Sequence, residues 1–385
     1  MDSIVSQIHS LAQSTGEAGR LEIQRALRQT QVELQSPIEV LFELVNSTLG
    51  VSVVRMSTDL GLFGILAKSS ESLSVNKIAE ASGASPDLLA RILRYLASTN
   101  MIMEAGVNQY EANKTTHVFA SEKGEAMVLH GFDFHAVIMR VMPDFFKETK
   151  YQDVTSNKYI PFHKAFNTNL SCFDWLIQHP EHFTPFQKAM TSIEGSEWTE
   201  GFDLLESEIK KLPSTAAQSS ERTFLVDIGG GHGHQSIQLG QKYPNVLGRL
   251  VLQDLPTTVE NLAIEGVKVE AYDFFQKQPL VGAKFYYLRR VLHDWPDNDA
   301  TKILRNVAEA MSTDSRVLID DTVLPDTEAV WQGTMADLAL MISCGGKERT
   351  RRQWELLADA AGLRVEQIHS YVAATYTSIV VLALK

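Results

Sequence analysis

A chain of 385 residues, 44% of them apolar, is long enough for two or three domains with substantial cores. A formal net charge of −12 and a pI near 5.4 set the average surface against nucleic acid and anionic membrane, so neither is an expected partner. Two cysteines, Cys172 and Cys344, are too few for a disulfide framework and have no metal-ligand spacing around them, so no metal is expected.

The opening "MDSIVSQIHSLAQS" lacks the basic and apolar regions of a secretory leader, and no stretch approaches the roughly 18 apolar residues of a membrane span. A reducing, cytoplasmic setting is the expectation. Residues 1–35 are polar, with Ile4, Ile8 and Leu11 at helical spacing, and "QSPIEVLFELVNSTLGVSVVRMSTDLGLFGILA" then runs strongly apolar at helix period. That stripe is too apolar to face water and requires cover from elsewhere in the fold or from another copy of the chain. "LSVNKIAEASGASPDLLARILRYLASTNMIMEAG" reads as helix, turn, helix, with Ser85 as N-cap and Pro86 at the first helical position. With a hairpin at "MIMEAGVNQYEAN" these segments make a winged helix-turn-helix. Only Arg91 and Arg94, set against Asp87, face a phosphate backbone from its second helix, so a packing or dimerising module is favoured over DNA binding.

The division expected is 1–124 for this N-terminal domain, 125–212 for an aromatic-rich helical region, and 213–385 for a third domain opened by the linker "LPSTAAQSSER". Beyond the linker, "TFLVDIGGG", "RLVLQDL", "VKVEAYD", "AKFYYLRR" and "RVLIDD" alternate with helical segments, and "YTSIVVLAL" closes the chain. Such alternation specifies an α/β fold with a mostly parallel, doubly wound sheet, which binds ligands at the carboxyl ends of its strands.

Those strand ends carry the chemistry. The first ends in "VDIGGGHGH", placing Asp227, Gly229, Gly230, Gly231 and Gly233 before a helix. A nicotinamide fingerprint wants a third glycine where His234 stands, and a tight turn without a ligand is the plainer alternative. Asp254, ending the second strand, suits the two hydroxyls of a ribose or an N-cap before Pro256. Asp273 in "YDFF" suits an exocyclic amine, and Phe274 either a base or the core. Together the three acids look like a nucleoside site.

The ordered set "LVDIGGGHG", "LQDLP", "YDFF", "LRRVLHDWPD", "VLIDDTVLP" and "GGKERT" resembles the S-adenosylmethionine-dependent O-methyltransferases of the plant caffeate and fungal secondary-metabolite type. The resemblance covers most of the chain and implies a Rossmann-like methyltransferase sheet, an N-terminal dimerisation domain, a homodimer and a small-molecule substrate. It places Asp227, Gly229, Gly231, Asp254, Leu255, Asp273, Phe274 and Arg289 at the cofactor, with Arg289 where the family commonly has Lys. It makes His293 the catalytic base, flanked by Asp321 and Glu348, with Asp321 where the family usually has the longer Glu. Phe186, Met190, Met341 and Ile342 fall on acceptor-pocket positions.

Transfer of a methyl group from sulfonium to oxygen turns a cation and an anion into two neutral species, so a dry, weakly polar site favours it. A phenol of pKa about 10 facing a histidine of about 6.5 leaves a mismatch of roughly 5 kcal/mol, to be closed by the sulfonium charge and the surroundings. A carboxylate on the far ring nitrogen fixes the tautomer and stabilises the imidazolium. Asp294 reads as a structural turn acid. Some fungal members of the family instead use the bound sulfonium as fixed charge in pericyclic chemistry, and there His293 would donate a hydrogen bond. His130 and His135, in the helical region, suit either reading.

Overall fold

A computed structural model describes residues 2–191, 198–213 and 222–385, so most of the expected linker lies outside the described residues. The chain divides into two compact units, Met1–Pro143 with Ala165–Gly195, and Asp144–Lys164 with Ser196–Lys385. The segment 125–212, read from sequence as a region of its own, is therefore shared between them.

The first unit opens with α1 (Asp2–Ser14), α2 (Gly16–Leu34) and α3 (Pro37–Asp59). The Ser36 backbone N–H donates to Glu39 Oε2 at 2.7 Å, which starts α3 with a reciprocal cap. The expectation that no segment nears a membrane span needs correcting. Helix α3 is 23 residues long with a window of mean hydropathy 1.4, long and apolar enough to cross a membrane, and little of that window is buried. Glu39, Glu43, Arg55 and Asp59 interrupt the apolar run, yet the helix remains apolar on average and leaves Ile38, Leu41, Phe42, Leu44 and Val45 exposed.

After α4 (Leu62–Ala67) come β1 (Leu73–Ser74), α5 (Val75–Ser82), α6 (Pro86–Ser98), β2 (Met103–Gly106) and β3 (Gln109–Glu111). The strands pair antiparallel in the order β1-β3-β2, completing the winged helix. Ser85 occupies the N-cap position of α6, but its side chain makes no capping bond. Leu89, Leu93 and Leu96, spaced at three and four, turn one face of α6 onto Phe63, Ile78 and Tyr110. Then follow α7 (Lys114–Ala120), α8 (Glu122–Leu129), a π-helical turn at His130–His135, α9 (Ala136–Glu148), α10 (Pro161–Phe166), α11 (Cys172–Gln178) and α12 (Pro180–Thr191); α9 and α10 contain the points of division.

The second unit contains α13 (Asp203–Lys210), β4 (Leu225–Ile228), α14 (His234–Lys242), β5 (Leu250–Asp254), α15 (Pro256–Val259), β6 (Val267–Ala271), β7 (Phe285–Arg289) and α16 (Asp297–Ala308). It ends with β8 (Arg316–Leu324), α17 (Trp331–Ser343), β9 (Arg349–Thr350), α18 (Arg351–Ala360), β10 (Leu363–Val372) and β11 (Thr377–Leu384). Its sheet runs β10-β11-β8-β7-β4-β5-β6, with β9 beside β8. Strands β4 to β8 are parallel and β10 and β11 antiparallel, so the order reverses at β4, which pairs with both β5 and β7.

Period-two alternation sorts the side chains onto two faces. Val226, Ile228, Tyr286, Leu288, Val317 and Ile319 enter one core, and Leu225, Phe285, Tyr287 and Leu318 the other. This sorting fixes where the polar residues at the strand ends point.

Candidate functional site

The turn after β4 is shaped by close packing. A Cβ at Gly230 would lie 2.3 Å from Leu252 Cδ1 and 2.6 Å from Asp227 Cγ, so no larger residue fits there without displacement. A Cβ at Gly229 would lie 2.9 Å from Val291 and 3.8 Å from Phe274, which brings the turn up to the ends of β6 and β7. Gly231, at φ +57°, opens onto free space, and its N–H donates to Asp254 Oδ2 at 2.8 Å. Asp254 Oδ1 accepts from the Leu255 N–H at 2.7 Å. Asp273 accepts from the Phe275 N–H at 2.9 Å and from Gln276 Nε2 at 3.2 Å. Phe274 stands edge to face with Trp295 at 5.8 Å. Buried Asp227 accepts from Ser236 Oγ at 2.8 Å, and burial pushes its carboxyl up to about 6.

Arg289 and His293 leave β7 toward different partners. Arg289 shares a face with Tyr287, and its Nη1 donates to Asp320 Oδ2 at 2.9 Å. Asp320 also accepts from Tyr287 at 2.5 Å and Tyr371 at 2.6 Å, so the guanidinium is held by a fully buried carboxylate. Four residues further on, Leu292–Asp294 form a 3-10 turn. His293 is 8% exposed, with Nδ1 3.2 Å from Glu348 Oε1 and 3.6 Å from Asp321 Oδ1. Glu348 thus lies within hydrogen-bond reach, whereas the shorter Asp321 stops at ion-pair distance. Asp294 Oδ1 lies 3.6 Å from Nε2, the other ring nitrogen.

Burial alone would lower the imidazole pKa, but Asp321, Asp294 and Glu348 around it outweigh that and raise it to about 9. Burial raises Asp321 to about 7 and also raises Asp294, while the bond to His293 helps to hold Glu348 below the usual carboxylate range. Among the described residues, both Asp321 oxygens and Glu348 Oε2 are buried without a hydrogen-bond partner.

Of the acceptor-pocket positions, Ile342 and Met341 sit at the end of α17, ahead of Cys344, whose Sγ lies 3.7 Å from Asp294 Oδ1. Neighbouring helical positions diverge by about 100°, so Ile342 is buried while Met341 is half-buried. Phe186 and Met190 share a face of α12 in the other unit, where Phe186 lies 5.4 Å from His130.

Sequence reasoning took Glu348 from "GGKERT" and missed the residues beside it. Arg349 is fully buried and donates to Asp297 at 2.9 and 3.0 Å and to the Leu292 and Trp295 carbonyls at 2.9 Å each, clasping the turn that carries His293. The Lys347 N–H donates to the His293 carbonyl at 2.8 Å, and a Cβ at Gly346 would lie 1.9 Å from that oxygen. Asp337 accepts from the Glu348 N–H at 2.9 Å.

The family model described as O-methyltransferase domain matches residues 143–364, and that described as O-methyltransferase dimerisation domain matches 42–122. The chain belongs to the O-methyltransferase family. Demethylsterigmatocystin 6-O-methyltransferase of Aspergillus flavus is 38% identical over 384 residues, covering 100% of this chain and 98% of the relative. The O-methyltransferase lepI of the same organism is also 38% identical, over 387 residues, covering 100% of this chain and 99% of the relative. Solved structures agree. LepI with S-adenosylmethionine superposes with a TM-score of 0.90 at 37% identity, covering 100% of this chain and 98% of that one. A structure described as a pericyclic reaction enzyme gives 0.89 at 37%, with 100% and 99% covered. In this O-methyltransferase the expected fold, a Rossmann-like sheet following a helical, winged-helix N-terminal region in the chain, is borne out.

Proposed function

We propose that this enzyme methylates a hydroxyl group on an aromatic or polyketide-type small molecule, with His293 as general base. The observation that carries the reading is the imidazole whose Nδ1 is held by Glu348, which leaves Nε2 for an acceptor hydroxyl. The cofactor is S-adenosylmethionine, and the donor set suits it. Asp254 and Asp273 present carboxylates at adjacent strand ends for ribose hydroxyls and an exocyclic amine, and Phe274 offers a ring beside them. The unpartnered anionic oxygens of Asp321 and Glu348 match a cationic ligand in sign. When bound, S-adenosylmethionine supplies a methyl group on a sulfonium.

The chain's own residues handle the proton. Nε2 of His293 accepts it from the attacking hydroxyl, while Glu348 holds Nδ1–H and stabilises the imidazolium formed. Asp321 adds charge without a hydrogen bond. In the resting enzyme the raised pKa keeps His293 protonated at neutral pH, so the base has to lose that proton before it works. The same observation favours a second reading, pericyclic chemistry steered by a protonated His293 acting as hydrogen-bond donor, and the LepI likeness supports it.

Helix α3 falls partly within the matched dimerisation segment, and its exposed apolar face is suited to cover by a second copy in a homodimer.

The test is release of S-adenosylhomocysteine from S-adenosylmethionine across a panel of phenols and polyketides. Acceptor-dependent release lost in His293→Ala supports transfer. Cofactor binding without release, with an acceptor isomerised instead, supports the second reading.

A further inference from the structure

Three carboxyls surround His293, and they are not equally employed. Glu348 Oε1 meets Nδ1 at 3.2 Å, within hydrogen-bond reach, and Asp294, on the side of Nε2, accepts from the Cys344 thiol at 3.7 Å. Asp321 is 1% exposed and stops 3.6 Å from Nδ1. Among the described residues, neither of its oxygens has a hydrogen-bond partner. A buried carboxylate that accepts no hydrogen bond is costly to keep ionised, so a further positive charge is needed to hold Asp321 in its charged form.

Strand β8 sets where that charge has to be. Period two sends Ile319 and Asp321 to the face that carries Val226, Ile228, Leu288 and Val291, with Phe274 packed against them. Arg289, the last residue of β7, pairs with Asp320, so Asp321 stands one step past the end of β7 at the carboxyl edge of the sheet. A Cβ on Gly229 would lie 2.9 Å from Val291 and 3.8 Å from Phe274, so the glycine turn after β4 meets the same face at the same edge. The charged groups facing Asp321 are His293 from the 3-10 turn, Glu348 ahead of β9, Arg290 after β7 and its neighbour Asp320. Asp320 is spent on Arg289, Tyr287 and Tyr371, and the residue paired with Asp321 from β11 is the uncharged Ser378. Around the imidazole, three carboxyls thus face one imidazolium and one guanidinium, a set that one more positive charge would balance.

We propose that Asp321 is the counter-charge for the sulfonium of S-adenosylmethionine, so that the site tells this cofactor from S-adenosylhomocysteine by charge. The two molecules share adenosine, carboxylate and amine, and differ by one methyl group and one positive charge. Contacts to the ribose and adenine at Asp254, Asp273 and Phe274 are the same for both, whereas an unspent buried carboxylate favours the cation. Once the methyl group has left, the neutral product loses that attraction and its release is eased. Burial raises the Asp321 carboxyl to about 7, so it is ionised above that pH and neutral below it. A cation beside it favours the ionised form. Binding of S-adenosylmethionine near neutrality is therefore accompanied by proton release that S-adenosylhomocysteine does not cause, and the preference for the cation is present above about pH 7 and lost below it. The inference rests on the reading that places cofactor and acceptor at His293 and adds to it a residue that selects the charged cofactor.

Calorimetry on the full chain, without acceptor, tests this with three probes: S-adenosylmethionine, S-adenosylhomocysteine, and sinefungin, whose protonated amine stands in for the sulfonium charge. Wild type at about pH 8 should bind both cations at least about 10-fold tighter than S-adenosylhomocysteine, and the margin should shrink to about 3-fold or less at about pH 6. Titrations at neutral pH in buffers of different ionisation enthalpy should show proton release with the cations alone. Asp321→Asn should reduce the margin at about pH 8 to about 3-fold with the S-adenosylhomocysteine Kd within about 2-fold of wild type, and Asp321→Glu should keep it, a pattern that a merely structural role at 321 would not give. Asp294, also raised by burial, remains in Asp321→Asn and marks what the other carboxyls contribute. Thermal unfolding checks that the variants fold, and the wild-type pH series decides the matter even where one does not. A wild-type margin that is absent or independent of pH overturns the proposal, as does a full margin in folded Asp321→Asn. Release of S-adenosylhomocysteine from the phenol panel by a protein lacking the margin would remove this inference and keep the transferase reading, and a charge margin without release would do the reverse.

Discussion

Asp320 and Asp321 are neighbours in β8 yet serve opposite faces of the sheet. Asp320 follows Leu318 onto one face and holds Arg289, Tyr287 and Tyr371. Asp321 follows Ile319 onto the other and stands 3.6 Å from His293. Period two therefore gives a single dipeptide one acid for Arg289, which ends β7, and one for the imidazole four residues beyond it. The pairing predicts separable phenotypes. Asp320→Asn should lower stability by roughly 3 kcal/mol, because it leaves the buried Arg289 charge without its counter-ion, and should leave the pH dependence of transfer unchanged. Asp321→Asn should move that pH dependence downward. Denaturant melts and kcat/KM profiles of both variants check this.

The pH dependence has a definite sign. A base must be neutral to work, and the three acids raise His293 to about 9, so kcat/KM for transfer should rise with pH along a limb with its inflection near 9. Glu348→Gln removes one of the charges responsible, and the inflection should move toward the ordinary histidine value of about 6.5. Stability runs the opposite way. A folded pKa above the unfolded one means that His293 stabilises fully below pH 6.5 and loses that contribution as pH rises through about 9. Tm should therefore fall across that window in wild type and fall less steeply in His293→Gln.

Lengthening the side chain at 321 tests the gap directly. Asp321→Glu adds the methylene needed to bring an oxygen within hydrogen-bond reach of Nδ1, which should push the inflection of kcat/KM upward. The site is 1% exposed, so the added volume should also cost about 1–3 kcal/mol in denaturant melts. A lower inflection would show that the carboxylate turns away from the ring.

Much of this was legible in the sequence, and the losses have physical reasons. Strands β4, β5, β7 and β8 announced themselves as apolar runs because most of their residues are buried on both faces, whereas β6, at a sheet edge, showed only through the alternation of Val267 and Val269 with Lys268 and Glu270. Strand β10 was missed because it lies at the sheet edge and carries Arg364, Glu366 and Gln367, so its alternation is diluted by water-facing residues. The glycine turn and the His293, Glu348 and Asp321 grouping followed from motif order: the glycine turn follows β4, His293 follows β7, Asp321 lies in β8, and Glu348 immediately precedes β9 beside it. Arg349 gave no sequence signal of burial, because nothing in "KERT" distinguishes a buried guanidinium from a solvated one. The acid at 297 and the two carbonyls that hold it meet it only in three dimensions.

Arg349→Met should separate positioning from cofactor binding. The substitution keeps apolar length over Trp354 but strands the Leu292 and Trp295 carbonyls, costing roughly 3 kcal/mol. The turn carrying His293 loses its clasp, so kcat should fall 10-fold or more while the S-adenosylmethionine Kd stays within about 2-fold. Calorimetry on the variant, set against its rate of S-adenosylhomocysteine release, checks both.

Two glycines offer the sharpest division of labour. Gly230 and Gly346 both lack room for a Cβ, but the obstacle differs. At 230 it is Leu252 and the carboxyl of Asp227, in the glycine turn after β4, whereas at 346 it is the backbone oxygen of His293 at 1.9 Å. Backbone cannot swing aside as a side-chain methyl can, so Gly346→Ala must displace either the 345–348 loop or the turn bearing His293 by about 1 Å, enough to cost on the order of 100-fold in rate. S-adenosylmethionine affinity should be nearly unchanged in that variant. Gly230→Ala should do the reverse, raising the S-adenosylmethionine Kd at least 10-fold while leaving the kcat inflection with pH in place, because Asp321 and Glu348 do not move. If both substitutions weakened cofactor and rate together, the glycine turn and the 345–348 loop would be one coupled element, and assigning binding to the first and proton transfer to the second would fail.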